Sequence, residues 1–223
     1  MTFLPLFFTT LLTMPRKPES SRRATSGESG LTVLRRLPIA WRLLVVVFLF
    51  NLFYMPVETA LPLFVNGPLA GSGRDLGTVW TMFGVGAIAG ALLTNYLRTV
   101  PKQTLLVGII AAWAGAMFGL ASAQNVLTAS ISFFFGGLIY APFTPIAYSY
   151  LQSFLTEEDE QPVITLWSTA SALAAPIGLV TAGPLIYFAG GRGGILLSAL
   201  ITLALALAAV RVVGAERASQ TND

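Results

Sequence analysis

The chain has 223 residues, of which 55% are hydrophobic and only 10% are charged. A soluble domain carries about 25% charged residues, so this chain has too few to cover a water-facing surface. It contains neither cysteine nor histidine, which excludes disulfides, thiolate metal sites and the commonest general base. The net charge of +3 comes from basic residues between apolar stretches, a pattern typical of membrane topology and not of nucleic-acid binding.

The N-terminal region contains two segments of different character. Residues 3–14 are apolar, but about a dozen residues are too few to cross a bilayer. They lack the basic start and the small-residue cleavage site of a signal peptide. Residues 1–14 are therefore either an interfacial anchor or, as we favour, the truncated end of a transmembrane helix. Residues 15–37 are rich in Arg, Lys, Ser, Glu and Gly, which predicts a flexible basic cytoplasmic linker.

The rest of the chain predicts an all-α membrane protein. A helix needs about 20 mostly apolar residues to cross the hydrocarbon core. Six stretches within residues 38–213 meet this requirement, with short connections between them: 39–65, 76–97, 104–121, 126–151, 163–189 and 194–213. Residues 214–223 form a short tail. The fold class is therefore a bundle of six transmembrane helices.

The distribution of Lys and Arg predicts the orientation of these helices. If the linker is cytoplasmic, two basic residues fall on the outer side, Arg74 and Arg192. Eleven fall on the inner side: Arg16, Lys17, Arg22, Arg23, Arg35, Arg36, Arg42, Arg98, Lys102, Arg211 and Arg217. Cytoplasmic loops carry the excess of basic residues. We therefore expect a multi-pass protein of the cell (inner or plasma) membrane with both termini in the cytoplasm.

Glu58 is the one charged residue clear of the ends of the predicted spans. Charge at membrane depth is costly and marks functional sites. Asn51 and Tyr54 precede it by seven and four residues, which places all three on one face of a helix, and Pro56 and Pro62 could bend the helix there. Burial in hydrocarbon favours a neutral carboxyl group, so Glu58 is the candidate for proton coupling or substrate binding. The alternative is a purely structural, hydrogen-bonded glutamate.

The fourth predicted span carries a second polar face. Tyr140, Thr144 and Tyr148 recur every four residues, with Pro142 and Pro145 between them. These hydroxyl groups are candidates for lining a cavity, although they could equally form hydrogen bonds between helices or lie near the membrane interface.

Small and aromatic residues predict packing and anchoring. Gly86 and Gly90 form a GxxxG pair, as do Gly115 and Gly119, and such pairs allow helices to approach closely. The tryptophans at 80 and 167 lie near the starts of spans, where tryptophan commonly anchors a helix at the interface.

Known catalytic patterns do not occur in the sequence. It contains no P-loop, no HExxH, no GxSxG and no paired intramembrane carboxylates, so we expect no enzyme, no cofactor and no metal. No span suggests a channel filter, and the inner loops are too short for a permease that docks an ATPase.

Several motifs together resemble the C-terminal half of a major facilitator superfamily transporter. Residues 57–65 (VETALPLFV) resemble its seventh helix and residues 83–92 (FGVGAIAGAL) its eighth. PIG at 176–178 and GPL at 183–185 resemble the eleventh, followed by the turn GGR at 190–192. The similarity is greatest to the efflux branch of macrolide and siderophore exporters. Two loop motifs are missing: one that is common in the family after the eighth helix and one that is common in the efflux branch after the tenth.

The resemblance implies a function and an arrangement. The six helices would form a 3+3 inverted repeat, one half of a carrier, and the weak echo of VWT at 79–81 in LWS at 166–168 is consistent with such a repeat. Residues 1–14 would be the end of the sixth helix. The chain would then be a proton-coupled exporter of small hydrophobic or amphipathic compounds. It would work with a second six-helix half, either another copy or a separate N-terminal half. The alternative is a non-transporting truncated protein or a membrane scaffold.

Overall fold

The computed structural model describes residues 30–220, with the backbone alone for Arg98 and for residues 211–220. The predicted helix end at 3–14 and most of the predicted linker therefore lie outside the described residues. Seven α-helices and one 3₁₀ turn make up the described part: α1 Gly30–Arg36, α2 Pro38–Asn66, α3 Gly73–Leu93, the turn Tyr96–Thr99, α4 Lys102–Ser122, α5 Val126–Tyr140, α6 Phe143–Gln152 and α7 Glu157–Gln220.

Five segments of this all-α fold are long and apolar enough to cross a membrane: Pro38–Asn66, Gly73–Leu93, Lys102–Ser122, Val126–Gln152 and Glu157–Val210. The fourth consists of α5 and α6 in sequence. The first four agree with the predicted spans to within a few residues. The main difference is the end of the second span, which was predicted at Leu97 but lies at Leu93.

The last segment is a helical hairpin that turns at Gly190. A straight helix of 64 residues would be about 95 Å long, three times the thickness of the hydrocarbon core. Gly190 has φ 69° and ψ 177°, a conformation that is essentially restricted to glycine. It divides α7 into a first arm, residues 157–189, and a second arm, residues 191–220.

Contacts with α2 show that the two arms run in opposite directions. Two glycines and one hydrogen bond mark their course. A Cβ atom added at Gly178 would meet Met55, and one added at Gly191 would meet Phe64. The hydroxyl of Ser198 donates to the carbonyl of Phe53. The chain thus follows α2 toward its C-terminal end and then returns along it. The apolar segments therefore cross the membrane six times. Of the glycine-rich turn predicted at 190–193, only Gly190 has non-helical backbone angles.

The tightest helix contact is a glycine seam between α3 and α5. A Cβ atom added at any of three glycines would overlap a carbonyl oxygen of the facing helix: Gly86 with Phe134, Gly90 with Leu138, and Gly137 with Phe83. Close backbone approach of this kind is how membrane helices associate. The first predicted GxxxG pair thus lies in a seam. In the second pair, Gly115 has no atom within 4 Å of such a Cβ and Gly119 meets only Ser132.

Long cationic side chains tie the helices together at both ends of the bundle. At one end, Arg192 donates to the carbonyls of Ala121 (2.5 Å) and Ala123 (2.9 Å), and its guanidinium lies 5.0 Å from the centre of the Phe64 ring. These carbonyls belong to the end of α4, where helical partners are lacking. At the other end, the amine of Lys102 donates to the carbonyl and the hydroxyl of Ser149.

Helix α1 lies in the last part of the segment predicted as a flexible linker. Its side chains Val33 and Leu34 are 2% and 0% exposed, and Gly30 contacts the backbone of Pro162 in the first arm of α7. Burial of two apolar side chains accounts for the ordering of this short helix on the bundle.

We expect Gly137→Ala to destabilise the protein, because the added methyl would push α3 and α5 apart. Overpacking a tight contact costs about 1–3 kcal/mol. The measurement is the unfolding midpoint of the detergent-purified chain. Gly84→Ala is the matched control, since Gly84 lies in α3 with no atom within 4 Å of an added Cβ. Equal midpoints for the two variants would contradict the seam.

Candidate functional site

The predicted site residues of α2 lie at different depths in the bundle. Asn51 is half-buried, Tyr54 is 8% exposed and Glu58 is exposed. The three share one side of the helix, as predicted, but that side lies at the edge of the bundle. Glu58 therefore lies on the surface of the six-helix unit, and Tyr54 points toward its core.

The prolines of α2 do not interrupt the helix, which is continuous from Pro38 to Asn66. A proline removes the hydrogen bond to the carbonyl four residues earlier, so Pro56 frees the carbonyl of Leu52. Gly178 of the first arm approaches this carbonyl closely, since an added Cβ would lie 2.8 Å from its oxygen. The freed carbonyl thus coincides with a close helix contact.

Tyr140 is brought to the α2 residues from the end of α5. Its ring stacks on that of Tyr54, with centroids 5.0 Å apart and planes at 29°. Its hydroxyl donates to Oδ1 of Asn51 at 3.3 Å, and the amide nitrogen of Asn51 donates to the carbonyl of Val47 at 2.8 Å. Two tyrosines and an amide therefore form one connected group.

This group belongs to an aromatic cluster, which we define as Phe50, Tyr54, Phe83, Trp113 and Tyr140. The indole of Trp113 lies 5.4 Å from the rings of both tyrosines. Such tilted and stacked pairs contribute beyond the apolar area they bury. Glu58 follows Tyr54 by one turn of α2. The cluster thus has an apolar interior and a polar edge, where the phenol of Tyr140 bonds to the amide of Asn51.

Thr144 and Tyr148 do not join the cluster. The fourth span is interrupted at Ala141 and Pro142, which separate α5 from α6 but keep helical backbone angles. Thr144 is exposed. Tyr148 is half-buried and packs edge-to-face against Trp167 at 6.1 Å.

Sequence reasoning missed Trp113, which lies at the centre of the aromatic cluster. Its side chain is 0% exposed, and its indole N–H has no hydrogen-bond partner among the described residues. A signal was available, because Trp113 falls in the middle of a predicted span and not near an end. The tryptophans predicted as anchors also pack inside the bundle: Trp167 is 6% exposed, and Trp80 contacts the rings of Phe83 and Phe133.

The fold and the cluster define a multi-pass α-helical membrane protein. Within the described part of the chain, no three acidic side chains gather into a group that could hold a metal. The family model of the Major Facilitator Superfamily matches residues 59–223, which is most of the chain, so the chain belongs to this superfamily. Its members are secondary transporters and not enzymes. Neither the curated proteins nor the solved structures contain a match to this chain.

Membership confirms the resemblance at the level of the superfamily. The protein is thus an integral membrane transporter, whose surroundings are the lipid bilayer and whose ligand is a small-molecule substrate. The matched region begins one residue after Glu58, so Asn51, Tyr54 and Glu58 lie just before it.

The bond between Tyr140 and Asn51 can be measured by a double-mutant cycle. We expect Asn51→Ala and Tyr140→Phe to show a coupling energy of about 0.6 kcal/mol, the typical value for a hydrogen bond between membrane helices. The measurement is unfolding of the purified chain in mixed micelles. A cycle of Asn51→Ala with Tyr187→Phe is the control, since Tyr187 is 83% exposed. Strictly additive effects in the first cycle would contradict a direct bond.

Proposed function

We propose that this chain exports small hydrophobic or amphipathic compounds in exchange for protons. The observation that carries the proposal is the position of Glu58, which lies on α2 one turn after Tyr54 of the aromatic cluster and is exposed on the surface of the unit. A carboxylate at membrane depth is costly unless it takes up a proton or finds a partner. A group that alternates between these states is what a proton-coupled carrier requires.

The composition of the cluster supports the substrate class. Aromatic rings bind apolar and cationic groups through their faces, and the amide of Asn51 together with the phenol of Tyr140 provides hydrogen bonds at one edge. Asn51, Tyr54 and Tyr140 are therefore our candidates for substrate contact. Thr144 and Tyr148 remain candidates for lining the substrate cavity nearer the C-terminal end of the fourth span.

A second six-helix unit is part of the proposal. Major facilitator carriers consist of two such halves, each with a 3+3 inverted repeat, and bind substrate at the interface between them. The exposure of Glu58 on the surface of this unit supports a role at such an interface. The second unit would be another copy of this chain or six further helices.

The orientation of the chain in the membrane follows from the charge distribution. Arg35, Arg36, Arg42 and Lys102 lie near one end of the bundle, and Arg74 and Arg192 lie near the other. By the positive-inside rule the first end faces the cytoplasm, which also places both termini there. The alternative function is a non-transporting truncated membrane protein or membrane scaffold, favoured by the absence of the two loop motifs after the eighth and tenth helices.

We expect Glu58→Gln to abolish proton-driven transport and to leave substrate binding intact, because glutamine stays neutral. The chain, together with its second unit, is reconstituted in liposomes that contain a pH-sensitive dye. A macrolide or a fluorescent lipophilic amine is then added outside. Proton movement on addition of substrate should fall to the level of protein-free liposomes.

Three further observations make this experiment decisive. Glu157→Gln, a change in the exposed acidic turn at the start of α7, should behave like the unchanged protein. Quenching of tryptophan fluorescence by substrate should persist in Glu58→Gln. Unchanged transport and unchanged pH dependence in Glu58→Gln would remove the coupling role, and no transport by the unchanged protein would favour the scaffold.

A further inference from the structure

A cavity of about 340 Å³ lies in the half of the bundle where α2 begins, and the proposed function does not use it. Its walls come from the first part of α2, the first part of α4, α6 and the second arm of α7. Its volume lies at the lower end of the range for ligand pockets.

The lining of the cavity is polar at one end and aliphatic along its depth. Arg42, Gln103 and Tyr150 contribute polar groups, and the amide of Gln103 donates to the hydroxyl of Tyr150. Arg42 and Gln103 lie near the starts of their helices and Tyr150 near the end of α6, which places all three at the same end. From there the wall continues through aliphatic residues to Ile110 and Leu49.

The depth of the cavity matches one leaflet of a bilayer. Ile39 and Leu49 are ten residues apart on α2, a rise of about 15 Å, which is half of the ~30 Å hydrocarbon core. Trp41 and Val45 are 45% and 36% exposed where they line the cavity, so it opens sideways toward lipid. Tryptophan beside a basic residue at this depth is typical of the headgroup level.

The charge around the mouth favours an anionic occupant. Arg42 lines the cavity, and Lys102 precedes the lining residue Gln103. Among the residues whose side chains the structure describes, none of those lining the cavity is acidic. The acidic residues 157–160 start the first arm of α7, which contributes none of the described lining residues.

An aromatic wall separates this cavity from the aromatic cluster. Phe143 lines the cavity, and its ring lies 4.2 Å from that of Phe50, which is 1% exposed. Phe50 also stacks on Tyr140, with centroids 5.9 Å apart. A ligand in the cavity therefore does not occupy the candidate transport site.

We propose that the cavity binds one anionic phospholipid from the leaflet at this end of the bundle. An acyl chain lies along the aliphatic wall, and the phosphate contacts Arg42 at the mouth. Basic pockets between membrane helices bind anionic headgroups in this way. The proposal concerns a lipid site and does not depend on the direction or the coupling of transport.

The absence of cysteine from the chain allows a clean fluorescence test. Val45→Cys places a bimane label beside the cavity, and Leu196→Cys places one on an exposed position outside it. The labelled full-length protein is reconstituted in phosphatidylcholine with increasing fractions of brominated phosphatidylglycerol or brominated phosphatidylcholine, which quench the label on contact.

We expect half-maximal quenching at position 45 at about fivefold less phosphatidylglycerol than phosphatidylcholine, since one basic residue supplies roughly that preference. Position 196 should show no preference. Arg42→Gln should abolish the preference and Arg74→Gln, an exposed basic residue at the opposite end, should retain it. Ala209→Phe, which fills the cavity, should weaken quenching by both lipids, and Ala172→Phe, an exposed position outside it, should not.

Four outcomes would overturn the proposal. Equal quenching by the two lipids at position 45 would show that the label there reports only contact with bulk lipid. The same conclusion would follow if position 196 preferred phosphatidylglycerol as strongly as position 45. Relief of quenching by soluble glycerol phosphate would indicate a site for free phosphate, and relief by a macrolide would indicate a substrate site. If Ala209→Phe fails to give monodisperse protein, Arg42→Gln against Arg74→Gln decides the question by itself.

Discussion

Helices in a bilayer gain little from the hydrophobic effect when they associate, because lipid tails are as apolar as leucine. Association then depends on how closely the backbones approach. In this protein the closest approach is the glycine seam of α3 and α5, where Gly86, Gly90 and Gly137 leave no room for a Cβ atom. The seam fixes the relative register of two helices along several turns.

The register of the seam determines the composition of the aromatic cluster. Gly137 rests on the carbonyl of Phe83, and Tyr140 follows it by three residues on the same helix. Locking Gly137 in place therefore positions one ring from α3 and one from α5. Both rings meet Trp113 of α4, at 6.5 Å and 5.4 Å. A slip of one residue along the seam would turn Tyr140 away from Tyr54 and Asn51, so small residues without chemistry of their own determine where the chemistry lies.

Sequence predicted the membrane segments well and the relations between them poorly. Hydropathy reports whether a segment can lie in hydrocarbon, which is a property of the segment alone, so four spans were found to within a few residues. Which faces meet depends on packing between distant segments. The shared side of Asn51, Tyr54 and Glu58 was predictable from helical spacing, but their graded burial was not. Arg192 is a similar case: counted as a topology signal, it also bonds the end carbonyls of α4.

The junction of α5 and α6 lies between the candidate transport site and the proposed lipid site. Tyr140 ends α5 in the aromatic cluster, and Phe143 begins α6 in the wall of the lipid cavity. Phe50 contacts both rings. A change in the angle between α5 and α6 would therefore move a ring of each site against the same partner. The proposed lipid site and the candidate transport site thus share Phe50, and an acyl chain held against Phe143 would reach Tyr140 through that one ring.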